Sequence, residues 1–254
     1  MTTRIEATCF RLDRSLTEDE LTRYARLIVE LAPRGYLQGI RIEDASGKSL
    51  KTLGLGDSFS ALALWDHFGF PADFSGKTVL DVGCNSGFFS LVAKLRGAKQ
   101  VMGVDRRIDR IDQARLMREI TGIDVDFQVG AGQDLDEGVG PFDFTINTGV
   151  MYHLQDPMHF LAHIARMTRE AMFVESELLI DPRCAEHAWF IEKTYAGDPS
   201  NWWIFGPECL GRMLRTAGFR RVDFRGFSYV PPAGTTTREG LERQGRGVFN
   251  CYKH

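Results

Sequence analysis

Long apolar runs are missing from this 254-residue sequence; the longest uninterrupted ones are only a few residues, where a membrane-spanning helix needs about 20. The opening stretch MTTRIEATCFRLDRSLTEDE is charged throughout and lacks the apolar core of a secretory signal, so a cytoplasmic protein with no membrane partner is expected. Cys-x-x-Cys pairs are also absent. The five cysteines, Cys9, Cys84, Cys184, Cys209 and Cys251, are odd in number and scattered, which argues against a zinc site or redox motif and reads as reduced, partly buried thiols. No sign of charge dominates: 31 basic against 34 acidic residues give a net charge of −3, with no global electrostatic reason to bind nucleic acid. There is no internal repeat and no low-complexity segment. With 43% hydrophobic and 26% charged residues, the chain can bury one sizeable core.

Residues 16 to 32 repeat apolar positions at helical spacing (Leu21, Tyr24, Ala25, Ile28, Leu31), with acids near the start and Pro33 after the end, which predicts an amphipathic helix. SFSALALWDHFGF, closed by Pro71, predicts a second short one. Residues 1–75 thus read as an N-terminal helical extension or cap. From Thr78 apolar strands and helices alternate, with strands at Thr78–Val82, Gln100–Val104, Ile123–Val129, Phe142–Asn147 and Met172–Ile180. Strand, helix, strand in sequence implies parallel strands with right-handed crossovers. In the third strand Ile123, Val125, Phe127 and Val129 alternate with Asp124, Asp126 and Gln128, so it belongs near an edge. Residues 181–206, rich in Trp and Phe, interrupt the alternation before a helix at 207–217 and strands at 222–230 and 247–253. The reading is an α/β, doubly wound, mostly parallel sheet with an antiparallel C-terminal strand, residues 76–254 forming the main domain.

The most specific segment is VLDVGCNSGFFS, residues 79–90, where a strand ends in a glycine-rich turn that opens a helix. Gly83 and Gly87 let the backbone pass close to a ligand, and the helix start is expected to present free amides to it. The pyrophosphate-binding G-x-G-x-x-G is not reproduced: its middle glycine is Asn85, and Asp81 precedes the turn. A carboxylate there repels phosphate and suits a cationic ligand. Asp105, 24 residues after Asp81, ends the second strand in VMGVDRR, where an acid can accept hydrogen bonds from two ribose hydroxyls.

These motifs resemble the class I S-adenosylmethionine-dependent methyltransferases over about residues 76–180. The resemblance implies a Rossmann-like fold and S-adenosylmethionine as cofactor, its methionine end at Asp81, Gly83, Asn85 and Gly87 and its ribose at Asp105. It further implies Arg106 and Ile108 beside the adenine and Gly132 or Gln133 at its edge. TGVMYHLQDP, residues 148–157, with FVESELLID and FGPECLGRMLRTAGF, is similar to the tRNA wobble-uridine carboxymethyltransferases and their relatives of unassigned substrate. This implies that Tyr152 contacts the donor and that Asn147, Thr148, Gly149 and Val150 line its pocket. The carboxymethyl enzymes use a donor with an extra carboxylate, which needs cationic partners. This chain has a shorter N-terminal region and no clear lysine at the matching place; Arg34 lies nearby, and Arg238, Arg243 or Arg246 could supply a late arginine.

His153 is the candidate base, an imidazole titrating near neutral pH, or else a histidine that fixes its loop. Tyr152, Trp189, Trp202, Trp203 and Phe205 could build an aromatic, water-poor chamber, or ordinary core. Glu175 and Glu177 either reach the pocket and orient substrate or find partners around them. His159 and His163 have metal-ligand spacing but sit with Arg166 and Glu170 opposite an apolar face, and read as solvated; no metal is expected. Residues 212–246 hold eight arginines (212, 215, 220, 221, 225, 238, 243, 246) against three acids, an excess of five, read as a solvated face in preference to a phosphate-steering patch. The expected function is methyl transfer to a small-molecule or glycan-like acceptor, at a hydroxyl before an amine. Modification of tRNA and a regulatory S-adenosylmethionine-binding protein without catalysis remain the alternatives.

Overall fold

A computed structural model of the chain describes residues 3–6, 9–32, 38–52, 61–195, 197–230 and 244–254. It divides into two compact units, the first comprising residues 1–66 and 71–131 and the second 67–70 and 132–254.

The first unit opens with two short strands, β1 (Arg4–Glu6) and β2 (Cys9–Arg11), then α1 (Glu18–Glu30), β3 (Arg41–Glu43) and β4 (Ser49–Lys51). The four strands form a small sheet in the order β1-β2-β3-β4. This small sheet, which the sequence pattern does not predict, accompanies the expected helices of the N-terminal extension. Three-residue strands are too short for alternation to register against the helix-like pattern around them. Thr17 caps α1: its hydroxyl accepts from the Glu20 amide while the Glu20 carboxylate accepts from the Thr17 amide, a reciprocal capping box. Tyr24 and Ile28 bury the inner face of α1. After α2 (Ala61–Phe68), whose predicted start at 58–60 lies outside the described residues, come β5 (Thr78–Val82), α3 (Phe88–Leu95), β6 (Gln100–Asp105), α4 (Ile108–Thr121) and β7 (Asp126–Val129). β6 pairs in parallel with both β5 and β7.

Gly122 ends α4 in the left-handed conformation, where a side chain would be strained. β7 starts three residues later than the alternation suggested, and its edge character holds: Phe127 is buried between exposed Asp126 and Gln128. Val129, expected on the buried side, is 46% exposed, because it projects from the carboxyl end of the strand.

In the second unit, β8 (Phe142–Thr148), α5 (Pro157–Met167) and β9 (Thr168–Leu179) form a strand-helix-strand crossover with β8 and β9 parallel. Asp156 accepts from the His159 amide and Pro157 takes the first turn of α5. The 181–206 insertion contributes β10 (Ala188–Phe190) and β11 (Trp203–Phe205), with β11 parallel to β9 and antiparallel to β10. α6 (Pro207–Thr216), β12 (Arg221–Tyr229) and β13 (Gln244–Tyr252) close the chain, with β13 antiparallel to both β9 and β12. The result is the α/β, mostly parallel Rossmann-like class, with the antiparallel C-terminal strand.

All five cysteines are free, Cys9, Cys84 and Cys251 buried. Among the described residues no helix is long and apolar enough to cross a membrane. His163, expected to be solvated, is only 7% exposed. A short turn at residues 132–134 packs on α5, and Glu137 lies 3.6 Å from the His163 Nδ1; the cover comes from a loop that helical spacing cannot show. His159 is exposed, as expected.

Gly103 shows how tightly β6 is enclosed. A Cβ there would stand 2.7 Å from the Phe127 ring and 2.9 Å from Ser90 Oγ. Gly103→Ala is expected to lower stability by about 1–3 kcal/mol through overpacking, read from urea unfolding midpoints.

Candidate functional site

In the first unit the turn after β5 takes positive φ at Gly83, Asn85 and Gly87 (73°, 53° and 83°). A Cβ on Gly87 would lie 2.6 Å from the Phe127 ring, so both backbone angle and space demand glycine here. These conformations fold the turn's amides inward. Gly83 and Cys84 donate to the Val104 carbonyl, Gly87 to the Cys84 carbonyl, Asn85 to Asp105 Oδ2 and Ser86 to its neighbour's Asn85 Oδ1. The first amide of α3, at Phe88, donates to the side-chain carbonyl of Gln38 at 3.1 Å. Every amide from 83 to 88 thus has an acceptor within the protein, so neither the turn nor the first amide of α3 presents the free donors expected there.

What the turn offers a ligand is acceptors. Asp81, 1% exposed, takes a hydrogen bond from Ser90 Oγ on one carboxylate oxygen, and its other oxygen is buried without a partner. Burial raises its pKa to about 7, an effect opposed by Ser90 and reinforced by the negative charge of Asp105. Asp105 accepts from the amides of Asn85 and Arg107, one on each oxygen, which fixes the carboxylate and leaves further lone pairs for hydroxyl donors. Ile108 is 63% exposed at the start of α4, and Val129 stands opposite Asp105 in the β6–β7 register. Two exposed apolar side chains beside a ribose-type acid suit a flat base. Val129 was missed because its alternation placed it inward; Gly130, which frees the chain to turn there, was the available signal. Arg106 is exposed.

In the second unit, Asn147 near the end of β8 is fully buried with neither its amide nitrogen nor its oxygen partnered, an arrangement that costs stability unless a ligand answers it. Thr148 and Gly149 follow, the Gly149 amide donating to the Glu175 carbonyl. Gly132 and Gln133 lie in the turn at 132–134.

Tyr152 and His153 occupy a single helical turn, Met151–His153, with ring centroids 4.3 Å apart. The Tyr152 hydroxyl accepts from Arg246 Nη1 at 2.8 Å. Arg246, on β13, forms a two-pronged ion pair with Glu175 on β9, one prong at 2.6 Å, and reaches Glu177 at 3.4 Å. Burial works against the arginine's charge, but Glu175, with Tyr152, more than offsets it and holds the guanidinium above its ordinary value. Burial likewise raises Tyr152 and Glu177, against the pull of Arg246. Glu175 thus has a partner within the protein.

The insertion ties to this cluster. The Trp202 amide donates to the Tyr152 carbonyl at 2.7 Å and Trp203 Nε1 to the Gln155 carbonyl. Phe190 stands against Trp202 and Trp203, and Trp203 stacks on Phe205. Trp189 and Phe190 are exposed. Among the excess arginines, Arg212, Arg215 and Arg221 are in surface ion pairs with Glu186, Glu208 and Asp223; Arg34, Arg238 and Arg243 lie outside the described residues. No cluster of metal-ligating side chains occurs among the described residues.

The match to a methyltransferase domain covers residues 58–223, more than half of the sequence, and the chain belongs to the class I S-adenosylmethionine-dependent methyltransferases. Its relatives include a tRNA U34 carboxymethyltransferase of Marinobacter nauticus, 32% identical over 179 residues that cover 69% of this chain and 52% of that protein. A ubiquinone biosynthesis O-methyltransferase of Neisseria meningitidis is 30% identical over 173 residues, 65% of this chain and 72% of that protein. The chain therefore spans about half the length of the carboxymethyltransferase relative. The N-terminal domain of EvdMO1, solved in the presence of SAH and D-fucose, shares the fold with a TM-score of 0.66 at 15% identity, over 92% of this chain and 97% of that one.

The acids fit S-adenosylmethionine: the unpartnered Asp81 oxygen matches an ammonium, Asp105 a ribose diol, and Ile108 with Val129 an adenine. Asp105→Ala is expected to abolish donor binding in calorimetry; near-normal affinity would contradict the ribose placement. Because Asp81 must ionise to hold an ammonium, donor affinity is expected to rise as pH increases through about 7. Asp81→Asn should flatten that dependence.

Proposed function

We propose that this methyltransferase acts on a hydroxyl of a small-molecule or glycan-like acceptor, with His153 as base and with Tyr152 and the 181–206 insertion shaping the acceptor site. The observation that carries the methyl reading is the Arg246–Glu175 ion pair. A donor bearing an extra carboxylate needs a cation, and the charge of Arg246 is already answered by two oxygens of Glu175. Displacing a buried carboxylate to admit another gains nothing in charge and costs the first its partner.

Bound S-adenosylmethionine supplies an electrophilic methyl group on a sulfonium. The acceptor oxygen becomes a stronger nucleophile as its proton passes to the His153 imidazole. The stacked rings of the insertion offer a flat apolar surface to an acceptor. An oxygen acceptor is further supported by the relationship to the Neisseria ubiquinone biosynthesis O-methyltransferase, 72% of whose length the match covers. The tRNA reading draws on the carboxymethyltransferase relatives, but Arg212, Arg215 and Arg221, three of the arginines that would meet a phosphate backbone, are paired with acids.

Incubation with methyl-labelled S-adenosylmethionine, a panel of hydroxylated aromatics and glycosides, and bulk tRNA is expected to place label in a small-molecule product with release of S-adenosylhomocysteine. Label in the tRNA fraction alone would overturn the proposal. In calorimetry the plain donor is expected to bind more tightly than its carboxylated analogue, with the gap narrowed in Glu175→Gln; the opposite preference in the unaltered protein would remove the methyl reading.

A further inference from the structure

We infer that Ser200, held in its turn by Asp198, is a positioning residue that fixes the imidazole proton of His153 on Nδ1 and so makes Nε2 the basic nitrogen. Nδ1 lies 3.1 Å from the backbone carbonyl oxygen of Ser200 and 3.1 Å from its Oγ. A carbonyl oxygen can only accept, so the proton in the first contact belongs to Nδ1. The hydroxyl has one proton, and geometry assigns it elsewhere: Ser200 Oγ donates to Asp198 Oδ1 at 2.7 Å. Toward His153 it therefore presents a lone pair. Both contacts select the same tautomer, and a neutral imidazole protonated on Nδ1 keeps its lone pair on Nε2.

The turn carrying Ser200 is built to hold that geometry. Asp198 Oδ1 accepts the Ser200 amide as well as its hydroxyl, both at 2.7 Å. Asp198 and Tyr195 exchange backbone hydrogen bonds, and Asn201 Nδ2 donates to the Tyr195 carbonyl at 2.8 Å. Tyr195 in turn donates from its hydroxyl to Glu177, the carboxylate that Arg246 reaches. On the other side the Trp202 amide closes onto the carbonyl of Tyr152, the residue preceding the histidine. A base that must present one nitrogen to a substrate needs its ring rotation and its tautomer fixed together, and this turn does both from 47 residues away in sequence.

The catalytic meaning rests on His153 being the base, but the tautomer does not. Long-range 1H–15N correlation spectra of histidine-labelled protein, recorded where the imidazole is neutral and assigned by difference with His153→Gln, read the tautomer directly. Nδ1 should show a protonated, pyrrole-type shift and Nε2 a pyridine-type shift. Ser200→Ala should move His153 toward a tautomer mixture, and Ser200→Thr, which keeps the hydroxyl, should restore the single form. A wild-type ring protonated on Nε2 would overturn the inference, and a spectrum unchanged in a folded Ser200→Ala, which keeps the carbonyl acceptor, would overturn the role given to the hydroxyl. Full methyl transfer by His153→Gln would instead remove the base assignment, a result the spectrum does not share.

Discussion

A buried carboxylate must find its counter-charge within a few ångströms, and much of the second unit follows from Glu175 finding it in the half-buried guanidinium of Arg246. Glu175 and Glu177 sit two residues apart on β9, so both point to one face of the strand. β13 runs antiparallel with Arg246 opposite Glu177. Removing Arg246 would leave the Glu175 carboxylate buried without its counter-charge, a costly state. The pair therefore fixes the register of β13 on β9. Through the Tyr152 hydroxyl it also fixes the short turn that carries His153.

The first unit solves a different problem. A glycine-rich turn at a helix start is usually read as a set of donors waiting for an anion. Here the left-handed residues fold those donors back onto Val104, Asp105 and Gln38. What remains is acceptor capacity on two carboxylates, one buried and hard to ionise, the other anchored by backbone amides. That polarity suits an ammonium and a ribose and disfavours a phosphate, so the selectivity lies in the orientation of the amides as much as in the glycines.

The sequence made the frame legible where periodicity and capping are strong. β5, β6 and α6 fall within a residue of expectation, because each is bounded by glycine, proline or a strand-ending acid. Asp81 and Asp105 were legible because strand ends are marked by the turns that follow. The strands of the N-terminal segment were not, since three residues carry too little pattern. Nor could spacing show that Glu175 answers Arg246 or that Ser200 meets His153; these pairings span 71 and 47 residues and depend on strand register and on one irregular turn.

β10 carries Trp189 and Phe190 into solvent and, among the described residues, pairs on one side only, with β11. A long strand of that kind would offer a template for other chains to stack upon. Its length of three residues leaves too few open backbone groups to recruit one. The aromatic surface can thus stay wet without becoming adhesive, its rings available to a flat molecule while its backbone is a poor partner for another protein's edge.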